Sequence, residues 1–160
     1  MKKVFKVLFP ILTVLFMLFI FSNSFSSGEV AGAKRGFVVN ILSALIRLFT
    51  GEEIEFTEKN LAVVSKLFHV FEFFLFSFCF SFSVFLKRGK VEGAFQSVLL
   101  GGVMTALADE QLQMLFSGRG SRLSDVFVDL AGILIGFGIS FVLAKIWLKG
   151  ENNGKNSSDT

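Results

Sequence analysis

His69, the chain's one histidine, stands three residues before Glu72, a spacing that puts both on one face of a helix. Asp109 and Gln113 are four apart, as are Asp125 and Asp129, and Glu110 follows Asp109 directly. Arg119 and Arg122 fall in the polar stretch between those groups. Residues of these types admit three chemistries. The arginines can pair with Asp109, Glu110, Asp125 or Asp129 as a structural network, because buried charges are normally paired. They can instead take the phosphate or carboxylate of an anionic lipid or cell-wall head group through two parallel hydrogen bonds. Alternatively, His69, Glu72, Asp109 and Asp129 can hold a divalent metal or act as acid and base. Oxygen-rich ligands with one imidazole suit Mg or Mn better than zinc. The sequence has no HExxH pattern and no paired cysteines, so spacing alone does not select among the three.

The segments that carry these groups are otherwise apolar. Of 160 residues, 52% are hydrophobic and only 18% charged, with a mean hydropathy of +0.67. Soluble domains carry roughly 25% charged residues, so the composition is shifted toward lipid. The net charge of +3 arises from Lys and Arg near the ends of apolar runs, without a basic stripe, and this excludes a nucleic-acid reader. A single cysteine, Cys79, lies between Phe78 and Phe80, which excludes an intrachain disulfide and a CxxC metal site. The partner these numbers imply is the lipid bilayer.

A bilayer core of about 30 Å needs about 20 mostly apolar helical residues. Four stretches approach that requirement, over residues 4–21, 67–86, 95–116 and 126–148. The predicted fold is therefore all-α: a polytopic bundle of four transmembrane helices forming one domain over residues 1–149. Val38, Ile41, Leu42, Leu45, Leu48 and Phe49 recur with a helical period. They predict an amphipathic helix over 36–49, lying on the outer surface or packed on the bundle and ended by Gly51. Residues 150–160 contain no apolar side chain and are expected to form a disordered tail. Gly132, Gly136 and Ser140 repeat every four residues, a pattern that lets a span approach its neighbour closely. Ser121 and Ser124 are candidate caps for the last span. Cys79 and the Phe run around it are expected to face lipid or fill the core.

Lys and Arg near span ends stay cytoplasmic. Lys2, Lys3 and Lys6 precede the first span, Lys87, Arg88 and Lys90 join the second to the third, and Lys145 and Lys149 close the fourth. Both termini are therefore expected in the cytosol. The N-terminus also admits a second reading, a secretory signal peptide cut near Ser22-Asn23-Ser24. A charge inside a span costs about 2.5–3.5 kcal/mol on insertion scales, so the position of the charges is informative. In this orientation His69, Glu72, Asp109, Glu110, Gln113 and Asp129 lie toward the outer ends of their spans, and Arg119, Arg122 and Asp125 lie in the outer loop before the fourth. No charge falls between Glu72 and Lys87, or between Asp129 and Lys145. That gap argues against a path through the membrane and leaves a small transporter as the weakest alternative.

The series Lys66-x-x-His69-x-x-Glu72, then Asp109-Glu110-x-x-Gln113, then Gly118-Arg119 followed by Asp125 and Asp129 resembles the VanZ-like membrane proteins of bacteria. Phe21-Ser22-Asn23-Ser24 resembles that family's Phe-Ser-Ser turn, and Gly132 and Gly136 complete its last motif. The sequence departs from the family at Phe73, where many members have Tyr, at Leu112, where many have His, and at Asp129, where Asn is common. This chain therefore offers neither that phenol nor that second imidazole. The resemblance implies an integral protein of the bacterial cytoplasmic membrane, linked through its namesake to low-level resistance to the glycopeptide teicoplanin. The resulting expectation is an outward-facing polar cluster that engages a cell-envelope component, such as a lipid-linked or cell-wall precursor head group. The alternative is a metal-assisted membrane enzyme acting on a lipid-linked phosphate or other head group, with a divalent cation as cofactor.

Overall fold

The computed structural model describes residues 2–52, 57–91, 93–118 and 122–156. These form five helices: α1 (Lys2–Ser24), α2 (Gly28–Thr50), α3 (Glu58–Arg88), α4 (Phe95–Gln113) and α5 (Leu123–Asn156). There is no strand among the described residues.

Local chemistry explains where the helices begin and end. Ser27 is extended and its side chain accepts from the Val30 N–H, which caps α2 by satisfying one of the orphan donors of a helix start. The apolar period over 36–49 misses this start by eight residues, because Gly28 to Arg35 has no such period. Gly51 ends α2 as expected, in the left-handed region at φ 75° with its N–H on the Arg47 carbonyl. Thr57 caps α3 by accepting from the Asn60 N–H, and Gly89 closes it on the Phe85 carbonyl. At about 1.5 Å per residue, the 31 residues of α3 reach about 46 Å, well beyond a hydrocarbon core of about 30 Å. Since α3 begins at Glu58, nine residues ahead of the expected boundary, His69 and Glu72 lie about three and four turns inside the helix and not in its first turns. At the other end, α5 begins at Leu123, so Ser124 falls within the helix and donates to Asp125 Oδ1 at 3.2 Å. Ser121, the other expected cap, lies outside the described residues. The helix continues to Asn156, past the expected break at Gly150, and residues 157–160 lie outside the described residues.

Among the described residues, three helices are long and apolar enough to cross a membrane: Lys3–Ser24, Lys59–Arg88 and Leu123–Trp147. The 19-residue α4 differs because Asp109, Glu110, Gln111 and Gln113 crowd its second half. Val7, Ile11, Leu15 and Leu18 of α1 stay exposed, as do Ile135, Ile139, Val142 and Ile146 of α5. Apolar surface on this scale is what a bilayer covers.

The tightest seam joins α3 to α5. A methyl group added at Gly132 would run into the Val70 carbonyl, with Phe73 Cβ and Phe74 N both 3.1 Å away. One turn on, a methyl at Gly136 would meet Phe78 N at 3.0 Å. The small residues thus let the two backbones touch, as their spacing implies. Ser77 Oγ then donates across the seam to the Ile133 carbonyl at 2.8 Å. Around this seam Ile20, Phe73, Phe76, Ala106 and Ile133 form one buried cluster, drawing on α1, α3, α4 and α5. A second buried cluster consists of Phe85, Val91, Ala94 and Ala144. Cys79 is buried at 4% exposure, so it fills the core and does not face lipid.

Candidate functional site

Where α1 turns into α2, the Gly28 N–H donates to the Ser117 carbonyl at 3.1 Å. This ties the α1–α2 junction to the segment after α4, and the polar side chains gather at this end of the bundle.

Asp109 of α4 is only 1% exposed. Its Oδ1 accepts from Ser24 Oγ of α1, and its Oδ2 accepts from Gln113 Nε2, one turn on, at 2.8 Å. Glu72 of α3 accepts from Asn23 Nδ2 at 2.6 Å. Asn23 Oδ1 in turn accepts from Lys34 Nζ of α2 at 3.1 Å, and the same ammonium reaches Ser26 Oγ at 3.2 Å. Hydrogen bonding to an ionised partner is stronger than a neutral pair, so this relay couples α1, α2 and α3.

Asp129 of α5 sits one turn before Gly132 on the close α3–α5 seam and is 0% exposed. Its Oδ1 is 3.3 Å from His69 Nδ1, but the geometry is not that of a hydrogen bond. Neither Asp129 oxygen has a hydrogen-bond partner, and neither does His69 Nδ1. Donor atoms from His69, Asp109 and Asp129 all lie within 4.8 Å of one another, so three helices present one nitrogen and two carboxylates to a common point. Glu110 faces a different neighbour: its Oε2 accepts from the Arg122 backbone N–H at 3.0 Å, and its buried Oε1 has no hydrogen-bond partner.

A cavity of about 590 Å³ opens beside this cluster. Phe19, Ile20, Phe37, Val38, Val64 and Phe68 make its apolar wall, and Asn23, Ser24, Lys34, His69, Glu72 and Asp109 make its polar side. One face of α2 thus covers the cavity, and Phe37, Leu45, Leu48 and Phe49 of the same helix remain exposed.

Of the residues expected from sequence, His69, Glu72, Asp109, Gln113 and Asp129 come together, and Glu110 lies beside them, turned to the start of α5. Asp125 is peripheral, at 3.9 Å from the exposed Lys66. Arg122 is exposed and reaches the cluster through its backbone N–H, not through the guanidinium expected to engage the carboxylates. Arg119 lies outside the described residues.

Asn23, Ser24 and Lys34 were missed as site residues by sequence reasoning. The signal for the first two was three polar residues closing an apolar run at the same depth as the other polar groups. Lys34 had no such signal, because it precedes the apolar period of α2.

No curated protein and no solved structure matches this chain. The family model VanZ/LLP1 matches residues 9–145, from the second turn of α1 to near the end of the apolar part of α5. With most of its length covered by that match, the chain belongs to the VanZ/LLP1 family.

Proposed function

We propose that this protein engages the head group of a cell-envelope amphiphile, a lipid-linked or cell-wall precursor, at the polar end of its cavity and thereby lowers glycopeptide (teicoplanin) sensitivity. In this reading α1, α3, α4 and α5 all span the cytoplasmic membrane, both termini are cytosolic, and α2 lies at the outer surface as a lid over the cavity. The single observation that carries the reading is the division of the cavity into an apolar wall and a polar side. An amphiphile needs both: acyl or prenyl chains gain by contact with Phe19, Phe37 and Phe68, and a head group needs fixed donors and acceptors. The Lys34 ammonium is part of the lining and is placed to meet a phosphate or carboxylate.

Two further features support the reading. The large exposed apolar side chains of α2 suit a helix resting in the interfacial layer. The second buried cluster, Phe85, Val91, Ala94 and Ala144, is apolar, and no charge falls between Glu72 and Lys87 or between Asp129 and Lys145, which favours a pocket over a through path.

The test is binding. Protein in lipid nanodiscs is mixed with a polyprenyl-diphosphate-linked cell-wall precursor, and complexes are counted by native mass spectrometry. Retention by the wild type, with loss in Ala33→Trp, a position where α2 lines the cavity, supports the reading. Equal retention by both proteins, or by neither, rejects it.

A further inference from the structure

Three carboxylates, Glu72, Asp109 and Asp129, are buried in this cluster, and a fourth, Glu110, is buried beside it. Glu72 and Asp109 have side-chain donors and Glu110 has a backbone donor. Asp129 has none. A buried carboxylate without a donor is costly enough that such groups are normally paired or bound to a metal. The neighbouring imidazole does not resolve this. Even a protonated His69 would engage Oδ1 alone, and Oδ2 of Asp129 would still lack a partner.

We infer that His69, Asp109 and Asp129 form a binding site for a single divalent cation, on the cavity side of the α3–α5 seam. The geometry is suitable. Oxygen and nitrogen ligands on opposite sides of a cation with bonds of about 2.0–2.4 Å lie about 4–5 Å apart, and the three donor atoms fall within 4.8 Å of one another. Asp109 can serve while keeping its present partners, because each carboxylate oxygen has two lone pairs. Ser24 and Gln113 then become the hydrogen-bonding groups that orient a metal ligand. His69 and Asp109 line the cavity, which gives the ion an entry route.

One imidazole nitrogen with carboxylate oxygens selects a hard to borderline ion of the Mn²⁺ or Mg²⁺ class over ions that prefer thiolates. Three protein ligands leave coordination positions open toward the cavity. A cation there would also offset the acidity of the cluster and bridge it to an anionic head group. That last role rests on the proposed head-group binding, whereas the cation site does not.

The test uses full-length protein purified on a histidine-free tag, stripped of metal and titrated with Mn²⁺. Bound Mn²⁺ is counted by electron paramagnetic resonance, and its nitrogen coupling is read by electron spin echo modulation. Because the chain has one histidine, imidazole coupling in the wild type assigns His69 without any variant. The expected result is one Mn²⁺ per chain with imidazole coupling, with the coupling lost in His69→Gln and affinity reduced at least about tenfold in Asp129→Asn. Absence of stoichiometric Mn²⁺ binding, or bound Mn²⁺ without nitrogen coupling, overturns the site. If a variant fails to accumulate, the wild-type spectrum decides alone. Loss of precursor binding with Mn²⁺ coupling intact rejects the head-group reading only, and the converse rejects the cation site only.

Discussion

His69 Nδ1 and Asp129 Oδ1 face each other at 3.3 Å across the α3–α5 seam without forming a hydrogen bond. The backbone fixes this arrangement. Asp129 is one helical turn from Gly132, where α5 lies against the Val70 carbonyl, Phe73 Cβ and the Phe74 N–H, so the close seam sets the height at which the carboxylate meets α3.

The first prediction concerns that seam. Gly132→Leu forces a branched side chain into backbone contact, and overpacking of this kind costs about 1–3 kcal/mol or more. Thermal unfolding in detergent, followed by circular dichroism, should show a lower midpoint and less folded protein. An unchanged midpoint would mean that the close approach does not contribute to stability.

A second prediction separates buried from exposed polar contacts. Asn23→Leu removes the donor on Glu72 at 2.6 Å and should destabilise by about 1–3 kcal/mol, because a buried acceptor loses its partner. Lys66→Ala, which breaks a 3.9 Å pair at the surface, should cost at most about 1 kcal/mol. Denaturant titration of both variants checks the ordering, and the reverse order would contradict it.

Third, the orientation can be read directly. A reporter fused after Thr160 should be cytosolic, and one inserted in the α2–α3 connection should be external. An external signal at Thr160 would remove the four-span arrangement.

The sequence made the helices and the polar cluster legible for different reasons. Long apolar runs announced α1, α3 and α5, and Gly51 announced the end of α2, because these signals are local. The start of α3 at Glu58 was obscured, since Lys59, Asn60, Ser65 and Lys66 break the apolar run without breaking the helix. Helical spacing placed His69 with Glu72 and Asp109 with Gln113. It did not reveal that Ser24 reaches Asp109 or that Lys34 reaches Glu72 through Asn23. Those contacts join separate helices and depend on tertiary packing. Phe73 shows the same division: it replaces the family's common Tyr, and it is fully buried, where a phenol hydroxyl would need a partner of its own.

The most direct test of the central claim is glycopeptide sensitivity in a strain lacking this gene, complemented with wild type, Asp109→Ala or Ala33→Trp at matched membrane levels. Asp109→Ala strips the cluster of its central acceptor, and Ala33→Trp obstructs the cavity from α2. The predicted result is that wild type restores low teicoplanin sensitivity, while both variants accumulate in the membrane and fail to do so. Full complementation by both variants would contradict a role for the cluster and its cavity.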